Sequence, residues 1–219
     1  MFDLTTSKGK ITASAMKLAA EQEWSKITLS MIAIDSGISI SVIKHIAPSK
    51  EHILDFLTAA LDNEVLSKIK TTNNDQLLRD SILETIMTRF DVMQPFKKSI
   101  RSIAFDLIPN PCLVQRIFNS QKWMLEASGV STNGMLGRLK TVGMGSIYLK
   151  VFTVWLEDED PGMARTMAEL DRSLRRAERS VKALSRSMYS FERALYMLSC
   201  RRNIKTKSGY EYEPESPSS

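Results

Sequence analysis

Thr28, Ser39, Ser41, Lys44, His45 and Lys50 all fall within TLSMIAIDSGISISVIKHIAPSK, residues 28–50. Their chemistry is that of hydroxyl donors and cations. Such groups hold oxyanions and the polar edges of rings, but they break no bond without an activated nucleophile beside them. The chain's two histidines, His45 and His52, both sit in or beside this stretch, and the sequence offers no nucleophile motif and no phosphate loop beyond a lone Gly143-x-Gly145. Recognition rather than catalysis is therefore expected, with no catalytic residue, metal site or cofactor assigned.

The elements that must position these side chains are two short helices joined by a tight turn. Thr28 can cap the first helix, whose inward side is Leu29, Ile32 and Ala33. Gly37 ends it, because glycine takes the left-handed conformation without a steric penalty. Ser39 then caps the second helix, and Ile38 before it staples onto Ile43 inside. With Ile43 and Ile46 facing inward, Ile40, Ser41, Lys44 and His45 point away from the small core, as a recognition helix presents its contacts to the major groove. Pro48 stops this helix and Ser49 is placed to cap a long one starting PSKEHILDFL. Lys50 opposes the dipole of that helix by about 0.3–1 kcal/mol unless an anion such as a DNA phosphate faces it. Thr28, Ser39 and Lys50 are thus the expected phosphate contacts. Net charge gives no support: residues 1–60 hold six Lys or Arg and six Asp or Glu. Compact three-helix units with a glycine turn also serve proteins that never meet nucleic acid.

Residues 9–60 resemble the N-terminal DNA-binding domain of the tetracycline-repressor (TetR) family. The order is a first helix, ITASAMKLAAEQEW, then TLSMIAIDSGIS, then a short helix running into PSKEHIL. Thr28, Leu29, Ile32, Ala33, Gly37, Ser39, Ser49, Lys50 and Glu51 keep the family's pattern. Ser36 and Ser41 are small departures, at positions where the family has alanine and glycine. Lys44 stands for a tyrosine that touches a phosphate, which charge can do instead, and Ala47 for a phenylalanine that anchors the recognition helix. The resemblance implies an all-α homodimer that binds DNA and regulates transcription under the control of a small ligand.

Length and composition agree. A chain of 219 residues with 43% hydrophobic content suits a small DNA-binding domain, residues 1–50, and a larger helical ligand-binding and dimerisation domain, residues 51–207. The polar tail, residues 208–219, is expected to be disordered. Cys112 and Cys200 show no metal spacing or disulfide framework, which fits a reduced, cytoplasmic protein. No signal peptide is read before the first helix, and no apolar run approaches the ~20 residues of a membrane span.

Beyond residue 50 the periodicity is helical throughout, with breaks at 71–75, at Met93-Gln-Pro95, at Pro109-Asn-Pro111, near Gly129 to Gly134 and at Glu157 to Pro161. A heptad stripe runs through Met163, Met167, Leu170, Leu174, Ala177, Val181 and Leu184 to Leu198, the pattern of a helix packed along another, commonly across a dimer axis. The preceding helix offers Met144, Ile147, Tyr148, Val151, Phe152 and Trp155. Phe152 and Trp155 are therefore expected at the dimer interface with the stripe. Phe90, Met93, Phe105, Trp123, Met124, Met144 and Tyr148 form a Met and aromatic set able to line an apolar ligand pocket, although such sets are more often plain core.

The segment from Trp123 to about residue 180 carries a second resemblance, in Gly129, Gly134, Arg138, Gly143, Tyr148, Trp155, Asp158, Asp160 and the run TMAELDRSL. It is similar to the C-terminal domain of certain bacterial TetR members, and to lipid-binding proteins of ubiquinone biosynthesis that share the fold. That second likeness implies an alternative: a lipid or isoprenoid binder at the membrane surface that leaves DNA alone. Charge bears on it, since residues 165–207 hold twelve Lys or Arg against four Asp or Glu. Residues 186–207 read as an amphipathic basic helix that could meet anionic lipid, but the unbroken heptad phase favours a continuation of the seam.

Overall fold

The computed structural model describes residues 2–69, 78–107 and 111–181, and every regular element among them is helical. The all-α expectation therefore holds. Two compact units divide the chain, Met1–Leu174 and Arg175–Ser219. The first contains α1 (Ser7–Glu21), α2 (Leu29–Ser36), α3 (Ile40–Ile46), α4 (Lys50–Lys68), α5 (Leu78–Met93), α6 (Lys97–Leu107), α7 (Pro111–Ala127) and α8 (Gly134–Glu157). A ninth helix, α9, opens at residue 164; residues 175–181 of the second unit are helical as well.

Thr6 starts α1 by accepting from the Gly9 amide at 3.1 Å. The helix buries Ile11, Ala15, Met16 and Ala19, spaced to form one stripe. That stripe meets α2 and α4 on one side and α6 on the other. Ser99 Oγ on α6 donates to the Met16 carbonyl at 2.6 Å, and Ser102 Oγ accepts from the Trp24 amide at 3.0 Å. Contacts between α1, the turn after it and α6 therefore cross the boundary expected at residue 50.

α4 belongs to both ends of the first unit. It packs on α1 and also on α5 and α7, burying Ile53, Leu54, Leu57, Leu61 and Val65. Further along, Asp62 of α4 receives the Arg89 guanidinium of α5 and the Ser120 hydroxyl of α7, the latter at 2.7 Å. Arg89 Nε donates in turn to the Tyr148 hydroxyl of α8 at 3.1 Å, so one polar chain ties four helices. Around it lie the stacked rings of Phe90 and Tyr148, 5.5 Å apart, and Trp155, 5.5 Å from Phe90. Side chains of that size stabilise by roughly 1.5–3 kcal/mol each when fully buried.

The expected breaks follow their signals. Pro95 sits in a tight turn, Gln94–Phe96, between α5 and α6, and Pro111 opens α7. α7 and α8 approach so closely that a Cβ on Gly145 would meet the Phe118 ring at 2.5 Å and force that ring to shift. After α8, buried Asp158 accepts from the Thr166 amide at 2.9 Å and its hydroxyl at 2.7 Å, which folds α9 back. Burial opposes the charge of Asp158, but these bonds outweigh it and hold its carboxyl below the ordinary value. The break at 71–75, Leu184, the helix at 186–207 and the tail at 208–219 lie outside the described residues.

Candidate nucleic-acid interface

α2 starts where Thr28, in extended conformation, accepts from the Met31 amide at 3.2 Å. The threonine O–H is left to donate outward. Ile32 is fully buried beneath it, with Leu29 and Ala33 packed against the core. Gly37 then adopts φ +68°, and the Ile38 amide reaches back to the Ala33 carbonyl at 3.2 Å, closing the helix in the manner of a Schellman turn. Ser39 caps α3 through the Val42 amide at 3.4 Å and shares a hydrogen with Ser41 Oγ at 3.1 Å. Between α2 and α3 the chain bends by 114°, within the range of helix-turn-helix units.

α3 is anchored by Ile43 and Ala47, both fully buried, with Ile38 and Ile46 half-buried beside them. The phenylalanine of the resembled pattern is thus replaced by an alanine that is itself enclosed. Ile40, Ser41, Lys44 and His45 are exposed as expected, and so is Val42, which helical spacing alone did not single out. A branched side chain at that position suggests core; only the packing of Ile43 and Ala47 turns it outward.

One expectation, the Ser49 cap, needs correction. Ser49 accepts no amide of α4; its hydroxyl pairs instead with His52 Nδ1 at 2.9 Å. Lys50 is half-buried. Its ammonium donates to the Trp24 carbonyl at 2.7 Å and lies 4.9 Å from the centre of the Trp24 ring. Burial depresses its pKa despite the nearby carboxylates of Asp106 and Glu51. Of the other cations in this region, Lys17 pairs with Asp35 at 2.7 Å and Lys26 with Glu23 at 3.0 Å. Among the described residues Lys44 has no ion pair and is exposed.

No protein-family model matches the sequence, and no curated protein does either. Solved structures do. A TetR transcriptional regulator from Nitrosomonas europaea superposes with TM-score 0.64 at 24% identity, covering 79% of this chain and 98% of that one. A TetR transcriptional regulator from Rhodococcus sp. RHA1 gives 0.55 at 14%, over 75% and 91% of the two chains. A TetR-family transcriptional regulator from Streptomyces coelicolor gives 0.53 at 14%, over 88% and 99%. The chain has the TetR fold.

Within this TetR fold the Met and aromatic set does not form one wall. Phe90, Met93, Met124, Met144 and Tyr148 are buried together, whereas Phe105 and Trp123 are 69% and 59% exposed. Helical spacing placed them on an apolar face without saying whether that face is covered. Gln121 on α7, three residues before Met124, is fully buried and neither of its amide atoms is hydrogen-bonded.

The stripe expected at a dimer interface divides as well. Trp155, Met163, Leu170 and Leu174 are buried within their own chain, and Trp155 Nε1 donates to Gln94 Oε1 at 2.9 Å. Phe152 is half-buried between the rings of Tyr148 and Trp155. Met167 and Val181 are exposed, with Ala177 half-buried. A second stripe on α8 consists of Met135, Leu139 and Val142, exposed by 83%, 52% and 51%. Its spacing of four and three was the available signal. In the TetR fold seen here Asp158 and Asp160 shape the corner after α8, Asp160 accepting from the Gly162 and Ala164 amides.

Proposed function

We propose that this chain is a DNA-binding transcriptional regulator, acting as a repressor, in which α3 enters the major groove. The observation that carries this is the capped, glycine-turned α2–α3 unit bent by 114° with an outward row of Ile40, Ser41, Val42, Lys44 and His45. Thr28 and Ser39 meet phosphates by their hydroxyls and Lys44 by charge, while Lys50 does so only by leaving Trp24. The TetR fold of the neighbouring solved structures supports the reading.

Operator binding needs two recognition helices about one DNA turn, ~34 Å, apart, and hence a homodimer. Met135, Leu139 and Val142 on α8 with Met167 on α9 supply the exposed apolar face for it. A small, largely apolar ligand entering near Phe90, Met124 and Tyr148 would favour one spacing of the recognition helices and so shift the population that fits DNA. Buried Gln121, with no hydrogen-bond partner, supports a ligand that brings one polar group.

The test is retention of the gene's own upstream fragment in a gel, repeated across salt concentrations. A specific shift whose affinity falls steeply with salt, and weakens on Lys44→Ala, is expected. Flotation with anionic vesicles and no shift on any DNA would refute it.

A further inference from the structure

We infer that α3 reads thymine methyl groups, through Ile40 and Val42, and that the half-site it recognises is thymine-containing at the bases it faces. This rests on the DNA-binding reading above and names the bases it would select. Ile40 is 47% exposed and Val42 41% exposed, on either side of exposed Ser41. Branched aliphatic side chains at the centre of a recognition surface are thus only partly covered by their own chain. In the major groove they have a partner, because thymine alone presents a methyl group there.

The other outward groups narrow the choice. α3 has the sequence ISVIKHI and contains no Arg, Asn or Gln. The bidentate readers of adenine are therefore missing from this helix, and Lys44 is its one residue of the guanine-reading kind. Ser41 is indifferent between bases, and its hydroxyl is shared with Ser39 Oγ at 3.1 Å. Lys44 and His45 lie in the last turn of the helix, where they can meet phosphate or a guanine. Apolar contact is the base-discriminating chemistry left to the residues that open the helix. Their direction is fixed from below: Ile43 and Ala47 are fully buried, so α3 cannot roll to hide Ile40 or Val42.

The experiment selects binding sites from a pool of random DNA duplexes with the full chain, then compares the selected duplex with the same duplex carrying deoxyuridine for thymine, position by position. Deoxyuridine lacks only the methyl. Affinity should fall about fourfold at each contacted thymine, the fold-change that corresponds to ~0.8 kcal/mol for one buried methyl group. Ile40→Ala should abolish the penalty at one position and Val42→Ala at another, a coupling that loss of folding would not produce. The deoxyuridine comparison on the unaltered chain stands by itself if either variant fails to fold. Enrichment of sites with no deoxyuridine penalty would overturn the thymine assignment and leave DNA binding intact. Failure to enrich any sequence would overturn both.

Discussion

The Lys50 ammonium donates to the carbonyl of Trp24 at 2.7 Å and stands 4.9 Å above its ring, clamping the start of α4 to the turn that follows α1. Lys50→Ala should lower stability by about 1 kcal/mol, through loss of the hydrogen bond and the cation–π contact. It should leave the slope of log affinity against log salt unchanged, whereas Lys44→Ala reduces that slope by about 0.9. An equal reduction for both variants would mean that Lys50 leaves Trp24 for a phosphate when DNA arrives.

The buried ion pair between Arg89 and Asp62 sets the cost of disturbing the interior. Burial opposes the charge of Arg89, yet Tyr148 and Asp62 more than offset it, holding its pKa above the ordinary value. Asp62→Ala leaves that guanidinium buried without its counterion and should cost about 3–5 kcal/mol. The double variant Asp62→Leu with Arg89→Met should recover most of the loss. Urea midpoints at unchanged slope measure both.

Asp158 predicts an acid-side loss. Its folded pKa lies below 3.8, so its contribution is fully present above that value and disappears as pH falls through the folded one. Thr166→Val removes the hydroxyl donor to Asp158. The variant should be less stable than the parent at neutral pH, and the difference should shrink below pH 3.8. Denaturation curves at neutral pH and at progressively lower pH check the sign.

The two stripes of α8 should separate on mutation. Leu139→Glu and Val142→Glu, both at exposed positions, should leave the monomer folded and weaken self-association, read by sedimentation across a concentration series. Trp155→Ala, at a fully buried position, should cost about 3–5 kcal/mol of stability. Dimers unaffected by either glutamate would place the interface elsewhere.

Features governed by local chemistry are legible in the residues themselves. Thr28 and Ser39 at helix starts and Gly37 at φ +68° answer to backbone needs that few residue types meet. Pro95 and Pro111 likewise mark helix ends through their missing N–H. Helical periodicity then supplies the fold class.

Which face of each helix is covered was decided only by tertiary structure. α8 carries two apolar stripes at helical spacing, one through Met144, Tyr148, Val151 and Trp155 and one through Met135, Leu139 and Val142. Nothing within the helix distinguishes them; packing against the rest of the chain buries the first and leaves the second exposed. Lys50 turned to Trp24 for the same reason. The sequence by itself determined where helices begin, end and turn, because those are requirements of a few adjacent residues. The packing of chain segments far apart in sequence determined which side chains meet water, because burial depends on neighbours that periodicity does not name.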